Sequence, residues 1–191
     1  HDGSESGQKI VVTIPSASSD ADLNNITTNI TGSSMTFVIT ETQTFAGNLR
    51  SKSGSINNGV TVTTSGSILS GLTISGSGSI IIDGASGRTL DENTQLSNIS
   101  NNMTIGEGQT SPAFAGTLGS GTITLNAAIV TTASIVSGKT ITSGTGSITV
   151  TDAVTDQDYD SINVSGGFTF TGTSTAFNAS LNTSQNYTIS G

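Results

Sequence analysis

One motif occurs three times along the chain, and this repetition constrains the fold more than any other feature. Each copy contains a β-branched run, an acidic segment ending in Leu-x-x-Ile or Tyr-x-x-Ile, and a Phe-x-x-x-Leu segment. The copies span residues 10–49, 80–118 and 148–181, a period of roughly 65–70 residues. Such a period is typical of a modular array whose units bury their apolar faces on one another. We predict repeats over residues 10–79, 80–147 and 148–191 in one elongated domain, residues 1–191.

The composition favours β structure over disorder. Hydrophobic residues make up 32% of the chain and charged residues 9%, whereas disordered chains are rich in charge and poor in β-branched residues. Short β-branched runs, such as residues 35–40, 80–82 and 147–151, lie between segments rich in Gly, Ser and Asn. We predict an all-β fold, a repeat-built β-solenoid similar to a parallel β-helix. The alternative is an antiparallel β-sandwich, which usually needs about 100 residues per unit.

Each copy also contains an acidic segment that is predicted to form a short helical turn. These segments are residues 19–26, 91–99 and 156–162. Each begins with polar and acidic residues, and carboxylates near a helix start interact favourably with the exposed N–H groups there. The acidic residues are therefore expected to cap helices.

The two ends of the chain resemble consecutive parts of an internal copy. Residues 187–191 resemble residues 72–76, and residues 6–12 resemble the segment that follows. Neither end carries the charged or proline-bearing cap that blocks strand addition. We expect subunits to join head to tail by β-strand complementation, and such heterologous contacts build open filaments. The alternative is that the ends mark repeat boundaries without assembly.

The common catalytic side-chain sets are missing. The one histidine is His1 and there is no cysteine, so a Ser-His nucleophile, thiol chemistry and His/Cys zinc sites lack their residues. The net charge is −8, and the five basic residues are scattered: Lys9, Arg50, Lys52, Arg88 and Lys139. No basic patch can follow a phosphate backbone, and no apolar run approaches the ~20 residues that span a membrane. The sequence predicts a non-enzymatic protein without nucleic-acid partners or membrane insertion.

One set of carboxylates is a candidate metal site. Asp156, Asp158 and Asp160 alternate as in the opening of an EF-hand calcium loop. Ser161 stands where that loop has Gly, and Gly167 stands where it has a bidentate Glu. Calcium is the only cofactor that the sequence suggests, and helix capping is the alternative role of these residues.

Asn-x-Ser/Thr sequons are numerous. They begin at Asn25, Asn29, Asn98, Asn102, Asn163, Asn178, Asn182 and Asn186. In a cell that glycosylates asparagine they would place sugars on an exposed surface. The alternative is that a chain rich in Ser and Thr forms sequons by chance.

The order strand, Asp-rich turn, Leu/Tyr-x-x-Ile, strand and Phe-x-x-x-Leu resembles the repeat regions of large microbial cell-surface proteins. These are β-solenoid adhesins, surface-layer proteins and extracellular filament proteins, and the resemblance covers most of the chain. It implies an extracellular, non-enzymatic building block at the cell surface, which assembles with itself. The alternative is an adhesin repeat or stalk that binds glycan or calcium-bridged surfaces.

Overall fold

The computed structural model describes residues 9–23, 34–49, 53–109, 113–142, 144–152, 155–171 and 179–190. The chain winds into a β-solenoid of about 7 turns. Neighbouring strands of the described residues pair in parallel, for example residues 9–14 with residues 34–39. The predicted all-β solenoid is therefore confirmed, and the antiparallel sandwich is excluded.

Three sheets run along the solenoid, and their strands are numbered in chain order. The first sheet contains β1 (Lys9–Ile14), β2 (Ser34–Ile39), β4 (Ser53–Ile56) and β6 (Thr73–Ser75). The second contains β3 (Gln43–Thr44), β5 (Thr61–Thr64), β7 (Ser79–Ile82), β8 (Asn102–Ile105), β10 (Ile123–Leu125) and β12 (Ile141–Thr142). The third contains β9 (Ala113–Phe114), β11 (Ala128–Thr131), β13 (Ser147–Val150), β15 (Phe168–Phe170) and β17 (Tyr187–Ile189). A small sheet pairs β14 (Gln157–Tyr159) with β16 (Ala179–Leu181).

The core consists of apolar side chains stacked from coil to coil. Val62, Ile80, Met103 and Ile123 are direct partners in successive strands of the second sheet, and each is at most 2% exposed. Parallel pairing in register places each inward side chain on the next. Full burial of one such side chain contributes about 1.5–3 kcal/mol. These stacked columns of buried side chains thus supply the burial free energy that a thicker core supplies in a globular domain.

Equivalent pairings recur in all three repeats. Isolated bridges join Asp22 to Asn48 and Gln95 to Thr117. The pair of Asp158 with Ser180, in the small sheet, occupies the same place in the third motif. The predicted repeat is therefore present in the pairing pattern as well as in the sequence.

Strands at equivalent positions of successive repeats lie in successive sheets. The strands that open the three repeats are β1, β7 and β13, and they belong to the first, second and third sheets. The strands that pair with them, β2, β8 and β15, follow the same order. One repeat therefore does not return the chain to the sheet from which it started.

The predicted helices at residues 91–99 and 156–162 are wrong. Residues 91–99 form turns with bridges at Gln95 and Ile99, and β14 occupies part of the other segment. Gln95 N donates to Ser70 Oγ at 2.9 Å, and Gln95 O accepts from Gly71 N at 2.8 Å. These backbone groups bond to a neighbouring coil, and an isolated helix this short is unstable in water.

In the first acidic segment, residues 19–20 form a turn and Asp22 forms a bridge, while residues 24–26 lie outside the described residues. Leu23 begins a 3-10 turn, and the other helical elements of the described chain lie outside the acidic segments. They are α1 (Gly66–Leu69), α2 (Ala133–Val136) and 3-10 turns at Ser16–Ser18 and Gly84–Ser86. No carboxylate lies in the first turn of any of these four elements. The predicted helix-capping role is therefore wrong for the acidic residues of segments 91–99 and 156–162, and it stays a prediction for the first segment.

Candidate functional site

The two outermost strands carry the exposed large apolar side chains of the described residues. Val11, in β1, is 50% exposed and Ile189, in β17, is 66% exposed. In the described pairings β1 bonds only to β2, and β17 bonds only to β15. Each strand therefore presents one edge along which a further strand can be added.

The C-terminal edge is backed by aromatic rings. Tyr159, Phe168 and Phe170 pack with ring centroids 4.8–5.5 Å apart, and Tyr187 lies 5.4 Å from Phe168. Phe170 pairs with Ile189 in register, so Ile189 faces the core. Among the described residues no strand pairs with the other edge of β17, and the side chain of Ile189 is exposed there.

Two tyrosines in this cluster are perturbed by burial. The Tyr159 hydroxyl is buried without a hydrogen-bond partner. Burial raises its pKa well above the usual value, and the nearby Asp152 carboxylate adds to the shift. Burial also raises the pKa of Tyr187, although its hydroxyl oxygen accepts a hydrogen bond from Asn182 N at 3.0 Å. Both phenols are therefore held neutral.

The N-terminal edge is aliphatic. Ile14 is fully buried, whereas Ile10 and Val12 are half-buried and Val11 lies exposed between them. In β1 the inward side chains are those of Ile10, Val12 and Ile14, because Val12 pairs with the buried Phe37. In the part of the chain that the structure describes, no strand covers these inward side chains on the free side of β1.

The predicted calcium residues lie in and beside β14: Asp158 is in the strand, and Asp156 and Asp160 flank it. Asp156, Asp158 and Asp160 are all exposed. Asp158 Oδ1 accepts a hydrogen bond from Asp160 N at 3.0 Å, and Asp158 N donates to Ser137 Oγ at 2.9 Å. Within the described ranges no group of three or more His, Cys, Asp or Glu side chains has a geometry that could hold a metal ion. Calcium binding here stays a prediction.

A polar groove of about 560 Å³ crosses the first repeat. A second depression, of about 450 Å³, shares Ser67 and Ser70 with it and reaches Asp91 and Glu92. The groove is lined by Asp20, Asp22, Ala46, Gly47, Asn48, Ser67, Ile68, Ser70 and Leu72. Carboxylate, amide and hydroxyl groups beside an apolar floor are the groups that bind hydroxyl-rich ligands.

The sequons in the described residues lie at the surface. Asn98, Asn102, Asn163 and Asn186 are exposed, and Asn182 is half-buried. Asn102 Oδ1 accepts a hydrogen bond from Thr122 N at 3.1 Å, and Asn182 Oδ1 accepts from Ser184 N at 2.9 Å. Asn25, Asn29 and Asn178 lie outside the described residues.

Sequence reasoning missed two buried threonines and one half-buried lysine. Thr64 and Thr131 occupy equivalent positions and donate to the carbonyls of Phe45 and Phe114 at 2.9 and 2.8 Å. Lys139 stands where the first repeat has Leu72, and its Nζ donates to the carbonyls of Leu118 and Gly119 at 3.0 and 3.2 Å. The one signal in the sequence was that Lys139 takes the place of the apolar Leu72, because a lysine there has to find partners for its ammonium group.

No protein-family model, curated protein or solved structure matches the chain. In the described part of the chain, no helix has the length and apolar character needed to cross a membrane.

Proposed function

We propose that this protein is a non-enzymatic structural subunit that assembles head to tail into an extracellular filament or surface layer. The observation that carries the proposal is the position of the exposed apolar side chains. Among the described residues, the large apolar side chains that are exposed are Val11 and Ile189, one on each terminal edge of the solenoid. Ile189 faces the core, so joining the two edges buries it and pairs two open strand edges, while Val11 lies on the outer face beside the junction.

Electron microscopy of the purified 191-residue chain tests this proposal. We expect regular fibres or sheets whose formation depends on protein concentration. Ile189→Asp should abolish them, because the carboxylate would have to be desolvated at the junction. Thr104→Asp is the matched control, since it places the same charge on the outer face of the second sheet, away from both edges. Dispersed short rods at every concentration would refute the proposal.

Glycosylation and export belong to the same proposal. The four exposed sequon asparagines of the described residues are accessible to glycosylation, which supports this part of the proposal. The intact mass measured for material from the source cell should exceed the mass of the bare chain. A mass equal to that of the bare chain would remove the glycoprotein part of the proposal and leave the assembly part standing.

A second function is an adhesin repeat or stalk that binds glycan or calcium-bridged surfaces. The polar groove of the first repeat favours it, because Asp20, Asp22, Asn48 and two serines line one depression. Glycan-array binding by soluble monomer, lost in Asp22→Ala, would support this function. Titration with Ca²⁺ tests whether this second function depends on calcium. Heat of binding and an EDTA-sensitive melting temperature, both lost in Asp158→Ala, would support it, and no heat would reject it.

A further inference from the structure

We infer that β17 of one copy pairs in parallel with β1 of the next copy in a single register, with Ile189 beside Val12. This inference rests on the proposed head-to-tail assembly and specifies the partner strand and the residues in contact. In this register Tyr187 lies beside Ile10 and Thr188 lies beside Val11. The third sheet of one subunit then continues as the first sheet of the next.

The direction of pairing follows from the solenoid itself. The described strands of each sheet are parallel, and successive coils run in the same sense. A second copy stacked along the same axis therefore presents β1 parallel to β17. Parallel pairing at the junction continues the hydrogen-bond pattern of the sheet without a change of direction.

The phase of pairing follows from which side chains face inward. Phe168 and Phe170 are buried and pair with Tyr187 and Ile189, so these two side chains face the core. In β1 the inward side chains are those of Ile10, Val12 and Ile14. A slip of one residue would turn every inward side chain of one strand to the outer face, so Ile189 must lie beside an inward residue of β1.

The choice among the inward residues follows from burial. Ile14 is 0% exposed and needs no cover from another copy. Ile10 and Val12 are half-buried. Three-residue β17 can cover both only when Tyr187 meets Ile10 and Ile189 meets Val12. Shifting by two residues toward Ile14 would leave Ile10 open, and shifting the other way would leave Val12 open.

The junction also fixes how one copy is turned relative to the next. Within the chain, the strands that open successive repeats lie in the first, second and third sheets. At the junction the opening strand β1 of the next copy instead continues the third sheet, so the first sheet of one copy lies in line with the third sheet of its neighbour. Each subunit in the filament is therefore rotated about the axis relative to its neighbour.

Disulfide trapping tests the register, and the chain offers a clean background because it has no cysteine. Facing residues of adjacent strands lie ~4.8 Å apart, within the Cα separation of about 4.4–6.8 Å that a disulfide needs. The double variant Val11→Cys/Thr188→Cys places two outward thiols side by side in the proposed register. Thr13→Cys/Thr188→Cys is the matched control, since Thr13 is exposed on the same face of β1 two residues further on.

After mild oxidation, Val11→Cys/Thr188→Cys should give a ladder of covalent multimers that reductant collapses to monomer, and most of the control should stay monomeric. A ladder from the control instead, equal ladders from both variants, or fibres without a ladder from the first variant would overturn the register while leaving assembly intact. Wild-type protein that forms no polymer by electron microscopy would overturn the proposed function, and this inference with it.

Discussion

The most direct test of coil packing is Gly116→Ala in the second Phe-Ala-Gly segment. A Cβ on Gly116 would overlap the carbonyl oxygen of Thr94 in the preceding coil and would lie 2.9 Å from the Phe114 ring. The φ angle of Gly116 is not in the left-handed region, so the change tests space rather than backbone conformation. Alanine forces the two coils apart at the place where they bridge.

The magnitude follows from the contacts at that bridge. Overpacking a tight site costs about 2 kcal/mol. Thr117 N donates to Thr94 O and Leu96 N donates to Thr117 O, both at 3.0 Å, and weakening the two bonds costs about 1 kcal/mol each. The free energy of unfolding should therefore fall by about 4 kcal/mol, which lowers the melting temperature by about 12 °C for a chain of this size.

Gly59→Ala is the control for this prediction. Gly59 has φ +74° and no atom within 4 Å of an ideal Cβ. Alanine there carries only the left-handed strain of about 1–2 kcal/mol. Urea unfolding followed by circular dichroism gives both values. Equal losses in the two variants would refute the close-approach argument, because they would show that the coils can separate at no cost.

The third motif shows how the chain accommodates a methyl group at this position. Ala179 stands where the first two motifs have Gly47 and Gly116. The facing residues there form the strand β14, and Asp156, just before it, has φ 53°. Asp156 is the one non-glycine residue with positive φ in the described part of the chain. The extra methyl thus coincides with a different path of the facing backbone.

Four further outcomes are expected. Ile80→Ala should lower the free energy of unfolding by about 2–5 kcal/mol, because Ile80 is 0% exposed. Ile189→Ala should change the free energy of unfolding by less than about 1 kcal/mol in the monomer, because Ile189 is 66% exposed. Urea titration at low protein concentration compares the two variants. Tyr159→Phe should stabilise the fold by about 1–3 kcal/mol, because it removes a buried hydroxyl without a partner. Burial raises the pKa of Tyr159 above its value in the unfolded chain, so above pH about 10 the folded state keeps a proton that the unfolded state loses. The free energy of unfolding of the wild type should therefore fall as the pH rises above about 10. The fall should be weaker in Tyr159→Phe. Asn98→Gln should lower the mass of glycosylated native material by one glycan, and an unchanged mass would show that Asn98 is not used.

The strand pattern could be predicted because apolar alternation and turn residues are local signals. Four threonines recur every nine residues along the chain: Thr122, Thr131, Thr140 and Thr149. They lie in or next to strands that alternate between the second and third sheets, so two nine-residue steps make one coil. Thr131 differs from the other three because it faces inward, where its hydroxyl donates to Phe114 O. Hydroxyl side chains serve both faces, so sequence alone could not separate these roles.

The acidic segments were predicted incorrectly because their partners lie in other coils. The backbone groups of Gln95 bond to Ser70 and Gly71, more than 20 residues away along the chain. A local pattern of acids and apolar residues is compatible with a helix start, but non-local bonding decides the conformation. The change of sheet between repeats was equally unpredictable, since it depends on the register that the turns impose.

The distribution of charge distinguishes contact between ends from contact between sides. The described acidic residues lie in turns or in the small sheet, and β17 carries no charge while β1 carries only Lys9. In an end-to-end contact the two paired strands therefore bring together mostly apolar and hydroxyl groups, with Lys9 as their one charged side chain. A side-to-side contact brings together turns of chains that each have a net charge of −8, and like charges repel within a Debye length of about 8–10 Å. The same acids that line the groove of the first repeat thus favour growth along the axis over lateral association, which supports a filament over a layer as the assembled form.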